Sequence, residues 1–129
     1  MNLVNRALSG PINIHCDHSD GMAVRDSGWI QIYSENAQEV YENTIMAIRI
    51  AENKEVLLPV IINQDGFITS HALVNVDILE DNVVKQFVGE YQPKFSLLNS
   101  EKPISVGCLD FYDYFYEHKK QTFDAMEHS

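Results

Sequence analysis

The stretch Trp29–Asn63 constrains the fold of this chain more than any other part of the sequence. Trp29–Tyr33 is rich in β-branched and aromatic residues and predicts a strand. Asn36 can cap a following helix, and Glu39 three residues later completes the pattern of a capping box. Val56–Ile62 is almost continuously apolar, which is typical of a parallel strand covered on both faces. Strand, helix and strand in this order predict a β-α-β unit and therefore an α/β fold.

The carboxyl ends of the predicted strands mark the expected ligand side of this fold. Pro59 cannot donate to a strand ladder, so it indicates a sheet edge, a bulge or a strand that begins at Val60. Pro11–His15 is a further short piece with strand-forming residues. Ligands of parallel α/β sheets bind beside the carboxyl ends of the strands. Those ends are His15–Asp20, Ser34–Asn36 and Asn63–His71.

The C-terminal third of the chain has weaker patterns. Asp81–Tyr91 predicts a short helix, and Gln92–Gly107 contains two prolines and predicts an extended arm. Asp110 is the expected cap of a last helix that ends at about Met126. Because the segment Phe111–Phe123 is rich in aromatic residues, we expect it to pack on this domain or on a partner.

Composition excludes several classes of protein. The 129 residues include 9 Lys and Arg against 19 Asp and Glu, a net charge of −10, which argues against binding nucleic acid or anionic lipid. No apolar run approaches the ~20 residues of a membrane span, and the N-terminus has no signal-peptide pattern. We therefore expect a cytoplasmic chain with Cys16 and Cys108 reduced.

Two polar segments contain residues that other proteins use for chemistry. His15–Asp20 holds histidine, cysteine and aspartate, which are all metal ligands. No second pair follows at a zinc-like spacing, so a hydrogen-bonded turn is favoured and no metal site is predicted. Asp65, Ser70 and His71 contain the parts of a hydrolase triad, but no Gly-x-Ser-x-Gly motif surrounds the serine. The roles of Ser70 and His71 stay open.

Arg25 is the strongest single candidate for binding a ligand at the expected ligand edge. A guanidinium matches a carboxylate with two parallel hydrogen bonds, although the residues alone favour a surface ion pair with Asp20 or Asp26. Gly66 follows the buried strand and permits a positive φ or a close backbone approach. Phe67 could cover an apolar ligand or could pack in the core.

Several separated blocks of this sequence resemble the α subunit of pyruvate:ferredoxin oxidoreductases, which are thiamine-diphosphate-dependent 2-oxoacid:acceptor oxidoreductases. The blocks are Asp17–Tyr33, Glu35–Glu39, and Leu58–Val60 with Asp65–His71. The similarity covers about Arg6–Tyr91 and extends loosely to the last helix. It implies part of a doubly wound, mainly parallel α/β sheet, the thiamine-diphosphate pyrimidine-binding domain, over residues 1–91. An extended arm and a C-terminal helix over residues 92–129 would follow.

The resemblance also implies roles for individual residues. Arg25 matches the arginine that holds the substrate carboxylate, and the loop His18–Met22 before it would line the active site. The expected substrate-side residues are therefore Arg25, His18 and Asp20. The expected cofactor-side residues are Asp65, Gly66 and Phe67. The resemblance assigns no catalytic residue and no metal ligand to this chain.

The implied reaction is the oxidative decarboxylation of a 2-oxoacid to acyl-CoA. Thiamine diphosphate would be shared with other subunits, while Mg²⁺ and iron–sulfur clusters would lie on other subunits or domains. Other subunits of the oxidoreductase are the expected partners, with ferredoxin and coenzyme A reached through the complex. Pyruvate is the expected substrate and a branched-chain 2-oxoacid is the nearest alternative, since both present the same carboxylate.

The chain departs from this family at its N-terminus. A full α subunit has a long segment before the matched part, so we expect a split subunit, a gene fragment or an expressed piece that is inactive alone. A truncated parallel sheet exposes apolar edges, and the chain is therefore expected to associate. The alternative function is a non-catalytic interaction module that binds a sister subunit.

Overall fold

A parallel sheet forms the centre of the computed structural model, which describes residues 1–107 and 109–129. Its strands are β1 (Asn2–Asn5), β2 (Ile30–Ser34) and β3 (Val60–Asp65). The strand order is β1-β3-β2, so β3 pairs with a parallel neighbour on each side. Asn5 is in register with Asp65, and Ser34 with Gln64. The carboxyl ends of the three strands therefore meet at one edge of the sheet.

The predicted β-α-β unit and the α/β fold class are confirmed. Helix α2 (Ala37–Ala51) connects the parallel strands β2 and β3. The side chain of Asn36 caps this helix by accepting a hydrogen bond from the backbone N–H of Glu39 at 2.9 Å. Strand β3 begins at Val60, directly after Pro59, because proline has no N–H for the ladder. A strand that begins at Val60 is one of the three alternatives that Pro59 left open in the sequence.

The hydrophobic core is small and lies between α2 and the sheet. Ala47, Val60 and Ile62 form its centre. The partly buried residues packed against them are Ile30, Ile32, Ile50 and Ala51. Ile61 points to the opposite face of β3 and is also buried, so the central strand is covered on both faces as its apolar run predicted.

Pro11–His15 does not form the predicted strand. Strand β1 at Asn2–Asn5 pairs with β3 instead, on the side of β3 opposite to β2. β1 was not predicted because asparagine has low strand propensity. Pro11 lacks a backbone donor, and Ile12 and Ile14 are both exposed, so a strand there would gain neither ladder hydrogen bonds nor burial.

Four further helical segments lie in the described part of the chain. They are α1 (Ser19–Ala23), a 3₁₀ turn (Arg25–Ser27), α3 (Asp81–Val88) and α4 (Phe115–Glu127). Helix α1 begins within the segment His15–Asp20, for which a hydrogen-bonded turn was predicted. The helix predicted from Asp81 is confirmed but ends three residues sooner. Residues 92–107 form neither helix nor strand, as expected for an arm.

Asp110 does not cap the last helix. The N-cap position of α4 is Tyr114, whose side chain makes no capping hydrogen bond. Asp110 Oδ2 lies 2.6 Å from Nδ1 of His118 instead. The aromatic side chains before and within α4 are largely exposed, with Tyr112 at 91%, although Phe123 lines a cavity together with Arg25 and Gly28. Packing on a partner stays a prediction.

The structure tests two further expectations from the sequence, the reduced cysteines and the lack of a membrane span, only for the residues that it describes. Cys16 is a free thiol, whereas Cys108 lies outside the described residues and its reduced state stays a prediction. Within the described part of the chain, no helix has both the length and the apolar character needed to cross a membrane.

Candidate functional site

Asp65 is the centre of a polar cluster at the carboxyl edge of the sheet. Its Oδ1 lies 3.0 Å from Nε2 of His18 and accepts a hydrogen bond from the Cys16 thiol at 3.1 Å. These partners lie 47 and 49 residues earlier in the chain. They reach Asp65 because the loop after β1 and the end of β3 share one edge of the sheet. The structure thus joins two of the sequence segments expected on the ligand side.

The contacts of Asp65 set the charges in this cluster. The hydrogen bond with His18, followed by the one from Cys16, lowers the pKa of Asp65. Burial raises the pKa of the Cys16 thiol, and the Asp65 carboxylate raises it further. A backbone hydrogen bond from Gly66 has the opposite effect on the thiol pKa. Near neutral pH, a protonated thiol therefore donates to an ionised carboxylate.

Asp20, in the first turn of α1, fixes the start of this helix to the end of β1. Its Oδ1 accepts hydrogen bonds from Nδ2 of Asn5 at 2.9 Å and from the backbone of Gly21 at 2.6 Å. Its Oδ2 accepts a hydrogen bond from the backbone of Arg6 at 2.9 Å. Asn5 Nδ2 also donates to Oδ1 of Asn63 on β3. Asp20 therefore holds the segment that carries His18 against two strands.

Gly66 and Phe67 form a sharp turn directly after β3. A Cβ at position 66 would lie 2.5 Å from the backbone oxygen of Asn5, so the close backbone approach is what requires glycine. Phe67 has a φ of 67°, and its ring stacks on His71 with the ring centroids 4.4 Å apart. The guanidinium of Arg6 lies 5.7 Å from the centre of the same ring. Phe67 is 42% exposed, so its interpretation as a core residue is wrong.

Ser70 and His71 do not form a hydrolase triad with Asp65. Ser70 Oγ lies 2.7 Å from Nδ1 of His71 and accepts a hydrogen bond from the backbone of Phe67. The carboxylate of Asp65 is engaged by His18 and Cys16, and only its backbone oxygen bonds to Ser70. The serine and histidine therefore stabilise the turn after β3.

Arg25 lies in the 3₁₀ turn, away from the Asp65 cluster. Its Nε is 3.4 Å from Oδ2 of Asp26, and the two side chains are 71% and 90% exposed. This is one of the two ion pairs that sequence analysis considered, and such exposed pairs are weak. Arg25 also lines a cavity of about 320 Å³ whose other wall comes from α4, including Thr122 and Phe123. The residues that the structure does bring to the carboxyl edge are His18, Asp20, Asp65, Gly66 and Phe67.

The sequence patterns did not indicate the buried amides beneath this edge. Asn5 is fully buried and Asn63 is 1% exposed, although asparagine is usually a surface residue. Within the described residues, Asn5 Oδ1 and Arg6 Nε are buried without a hydrogen-bond partner. Such unsatisfied atoms cost free energy unless another group meets them. The one available signal was Asn63, a polar residue directly after the apolar run of β3.

The whole chain matches a family of known proteins. Residues 1–129 match the family model for pyruvate flavodoxin/ferredoxin oxidoreductase, thiamine diphosphate-binding. Pyruvate synthase subunit PorA of Thermotoga maritima is 58% identical over 127 residues, 98% of this chain and 32% of that protein. PorA of Methanocaldococcus jannaschii is 48% identical over 127 residues, 98% of this chain and 33% of that protein.

A relative whose name gives a different 2-oxoacid is also similar. Ketoisovalerate oxidoreductase subunit VorA of Pyrococcus furiosus is 37% identical over 128 residues, 96% of this chain and 32% of that protein. The chain thus spans about a third of the length of each of these three curated relatives.

Proposed function

Because the chain belongs to the thiamine diphosphate-binding family of pyruvate flavodoxin/ferredoxin oxidoreductases, we propose that it is part of a 2-oxoacid:ferredoxin oxidoreductase. The proposed reaction is oxidative decarboxylation of pyruvate to acyl-CoA. The observation that carries the proposal is the match of the whole chain to that family, and the contact of His18 with Asp65 lies at the edge where α/β sheets bind ligands. The relatives named pyruvate synthase favour pyruvate, and the ketoisovalerate relative makes a branched-chain 2-oxoacid the nearest alternative.

The residues at this edge suit the aminopyrimidine end of thiamine diphosphate. Phe67 and His71 offer aromatic surface, and the unpartnered oxygen of Asn5 suits an amino donor. The carboxylates of Asp20 and Asp65 would repel a diphosphate. This supports a cofactor shared with other subunits or domains, which would hold the diphosphate, its Mg²⁺ and the iron–sulfur clusters. The proposed cofactor-side residues are Asp65, Gly66 and Phe67.

Arg25 is the proposed ligand of the substrate carboxylate. When bound, thiamine diphosphate supplies the electron sink for decarboxylation. A bidentate guanidinium would orient the 2-oxoacid, so that its carboxylate is presented in one geometry. The exposed ion pair with Asp26 uses Nε and is weak enough for a substrate carboxylate to replace. His18 and Asp20 are the other proposed substrate-side residues; His18 lies in the Asp65 cluster, and Asp20 would fix the segment that leads to Arg25.

The remaining parts of the proposal concern organisation and partners. Residues 1–91 would form part of the pyrimidine-binding domain, and residues 92–129 an arm and helix. Other subunits of the oxidoreductase would bind this chain, and ferredoxin and coenzyme A would act through the assembled complex.

An assay of the native complex tests this function. The chain is tagged in its source organism, purified gently and assayed for pyruvate-dependent reduction of a viologen dye with coenzyme A and thiamine diphosphate. Activity that copurifies with iron–sulfur subunits is the expected result. Lack of activity in a complex that contains those subunits intact would contradict the proposal.

A non-catalytic interaction module is the second candidate function. The exposed aromatic side chains near α4 favour it, since large exposed apolar groups often mark protein contacts. Retention of a sister subunit without dye reduction, in the same preparation, would support this alternative.

A further inference from the structure

We propose that Cys16, His18 and Asp65 form a binding site for a divalent transition-metal ion, with Zn²⁺ the best-suited ion. Each residue offers one donor atom, and the three atoms lie within 4.8 Å of one another. In the described part of the chain, no other set of three His, Cys, Asp or Glu side chains meets that distance. The inference concerns metal binding by the 129-residue chain alone, and an ion bound there would occupy the His18 and Asp65 side chains that the proposed function assigns to the substrate and the cofactor.

The separations of the donor atoms fit a zinc ion. Zinc binds sulfur at about 2.3 Å and nitrogen or oxygen at about 2.0–2.2 Å, which places tetrahedral donors about 3.3–3.6 Å apart. Asp65 Oδ1 lies 3.0 Å from His18 Nε2 and 3.1 Å from Cys16 Sγ. Asp65 Oδ1 therefore needs to separate from each of the other two donors by about half an ångström or less, and all three donors already lie within 4.8 Å of one another. The metal would replace the thiol proton, which leaves to solvent.

Different parts of the fold hold the three ligands in place. Asp65 ends the central strand, and its backbone is fixed by the pairing with β1. His18 occupies the N-cap position of α1, and its ring packs on Tyr33 with the ring centroids 5.3 Å apart. The site is thus positioned before an ion binds.

The ligand types and their exposure define the kind of ion and the coordination. A thiolate and an imidazole favour Zn²⁺ or Co²⁺ over Mg²⁺ and Ca²⁺, which take oxygen ligands. The side chains of His18 and Asp65 are 44% and 35% exposed, so an ion can enter from solvent. Three protein ligands leave a fourth tetrahedral position for water or a small anion.

Titration of the full 129-residue chain with Co²⁺ tests the proposal, because a cobalt–thiolate bond produces a charge-transfer band in the near ultraviolet. We expect one saturable equivalent with this band, and its loss when Zn²⁺ is added. Absence of the band in the unmodified chain would overturn the proposal. Cys16→Ser should abolish it, and His18→Ala or Asp65→Asn should weaken metal affinity about tenfold or more.

His15→Ala and Cys108→Ser are the matched controls. His15 is an exposed histidine in the same loop, and Cys108 is the second thiol of the chain. Both variants should keep the band and the affinity. A band that survives Cys16→Ser, or an equal loss in a control variant, contradicts the assignment of the ligands.

A measurement without substitutions guards against misfolded variants. Alkylation of the unmodified chain is followed at each cysteine by mass spectrometry, with and without Zn²⁺. Zinc should slow alkylation of Cys16 strongly relative to Cys108. Equal rates at Cys16 with and without the metal would overturn the proposal.

Discussion

The guanidinium of Arg25 is exposed to solvent. Its ion pair with Asp26 is weak, so a ligand can take the place of Asp26. In the oxidoreductase complex proposed above, we expect Arg25→Ala to raise the KM for pyruvate about 10- to 100-fold, because a hydrogen-bonded charge pair contributes about 1.5–3 kcal/mol. The KM for coenzyme A should not change. Steady-state dye reduction at varied pyruvate and varied coenzyme A measures both constants.

Arg49→Ala is the matched control for that substitution. It removes the same charge from α2, where Arg49 donates a hydrogen bond to the backbone oxygen of Val88 at 3.3 Å. It should leave the KM for pyruvate unchanged. Equal effects of the two substitutions would show a general effect of charge, and an unchanged KM in Arg25→Ala would remove the carboxylate role.

Gly66 is required by the close packing of two strand ends. We expect Gly66→Ala to lower the free energy of unfolding by about 1–3 kcal/mol, the usual cost of overpacking. The cause is the Cβ, which would lie 2.5 Å from the backbone oxygen of Asn5. Urea denaturation followed by circular dichroism measures the change. A midpoint equal to that of the parent chain would show that the turn can shift at no cost.

The candidate site was predictable at the residue level where local sequence defines it. Asp65 and Gly66 were found because they follow a strongly apolar strand. The contact of Asp65 with Cys16 was not predicted, because it depends on how the loop after β1 folds back across the edge. The surroundings of Arg25 depend on α4, whose sequence is distant from it. Tertiary placement of this kind has no local signal.

Helix α2 is the element whose formation depends most on local chemistry. We expect Asn36→Ala to destabilise the chain by about 0.5–2 kcal/mol, because it removes the side-chain acceptor of the Glu39 N–H. Asn36→Asp keeps a capping oxygen and should retain most of the stability. Thermal unfolding by circular dichroism compares the two variants, and equal melting temperatures would contradict the capping role.

The elements of the sheet show where sequence patterns suffice and where they fail. β2 and β3 were predicted from β-branched and apolar residues, and α2 from its cap. β1 was missed because its asparagines gain their stability from parallel pairing with β3 and from the buried contact of Asn5 with Asn63. Pairing between distant segments decides such a strand, whereas propensity alone favoured the segment after Pro11.

The whole molecule combines a small core with a large exposed apolar surface. β1 and β2 each pair only with β3 in the described sheet, so each leaves one edge without a strand partner. Apolar side chains are also exposed along the arm and before α4, including Leu98 at 97% and Tyr112 at 91%. Such surfaces favour association, while the net charge of −10 opposes contact between copies.

The balance between charge repulsion and apolar attraction predicts a salt-dependent oligomeric state. Raising the ionic strength from about 0.01 M to about 1 M shortens the Debye length from about 30 Å to about 3 Å, which removes most of the repulsion between chains. We therefore expect the 129-residue chain to sediment faster at high salt, and Leu98→Ser with Tyr112→Ser to reduce this change. Sedimentation velocity across the salt series measures it. A chain that stays monomeric at every salt concentration would show that its exposed apolar groups are too scattered to drive association.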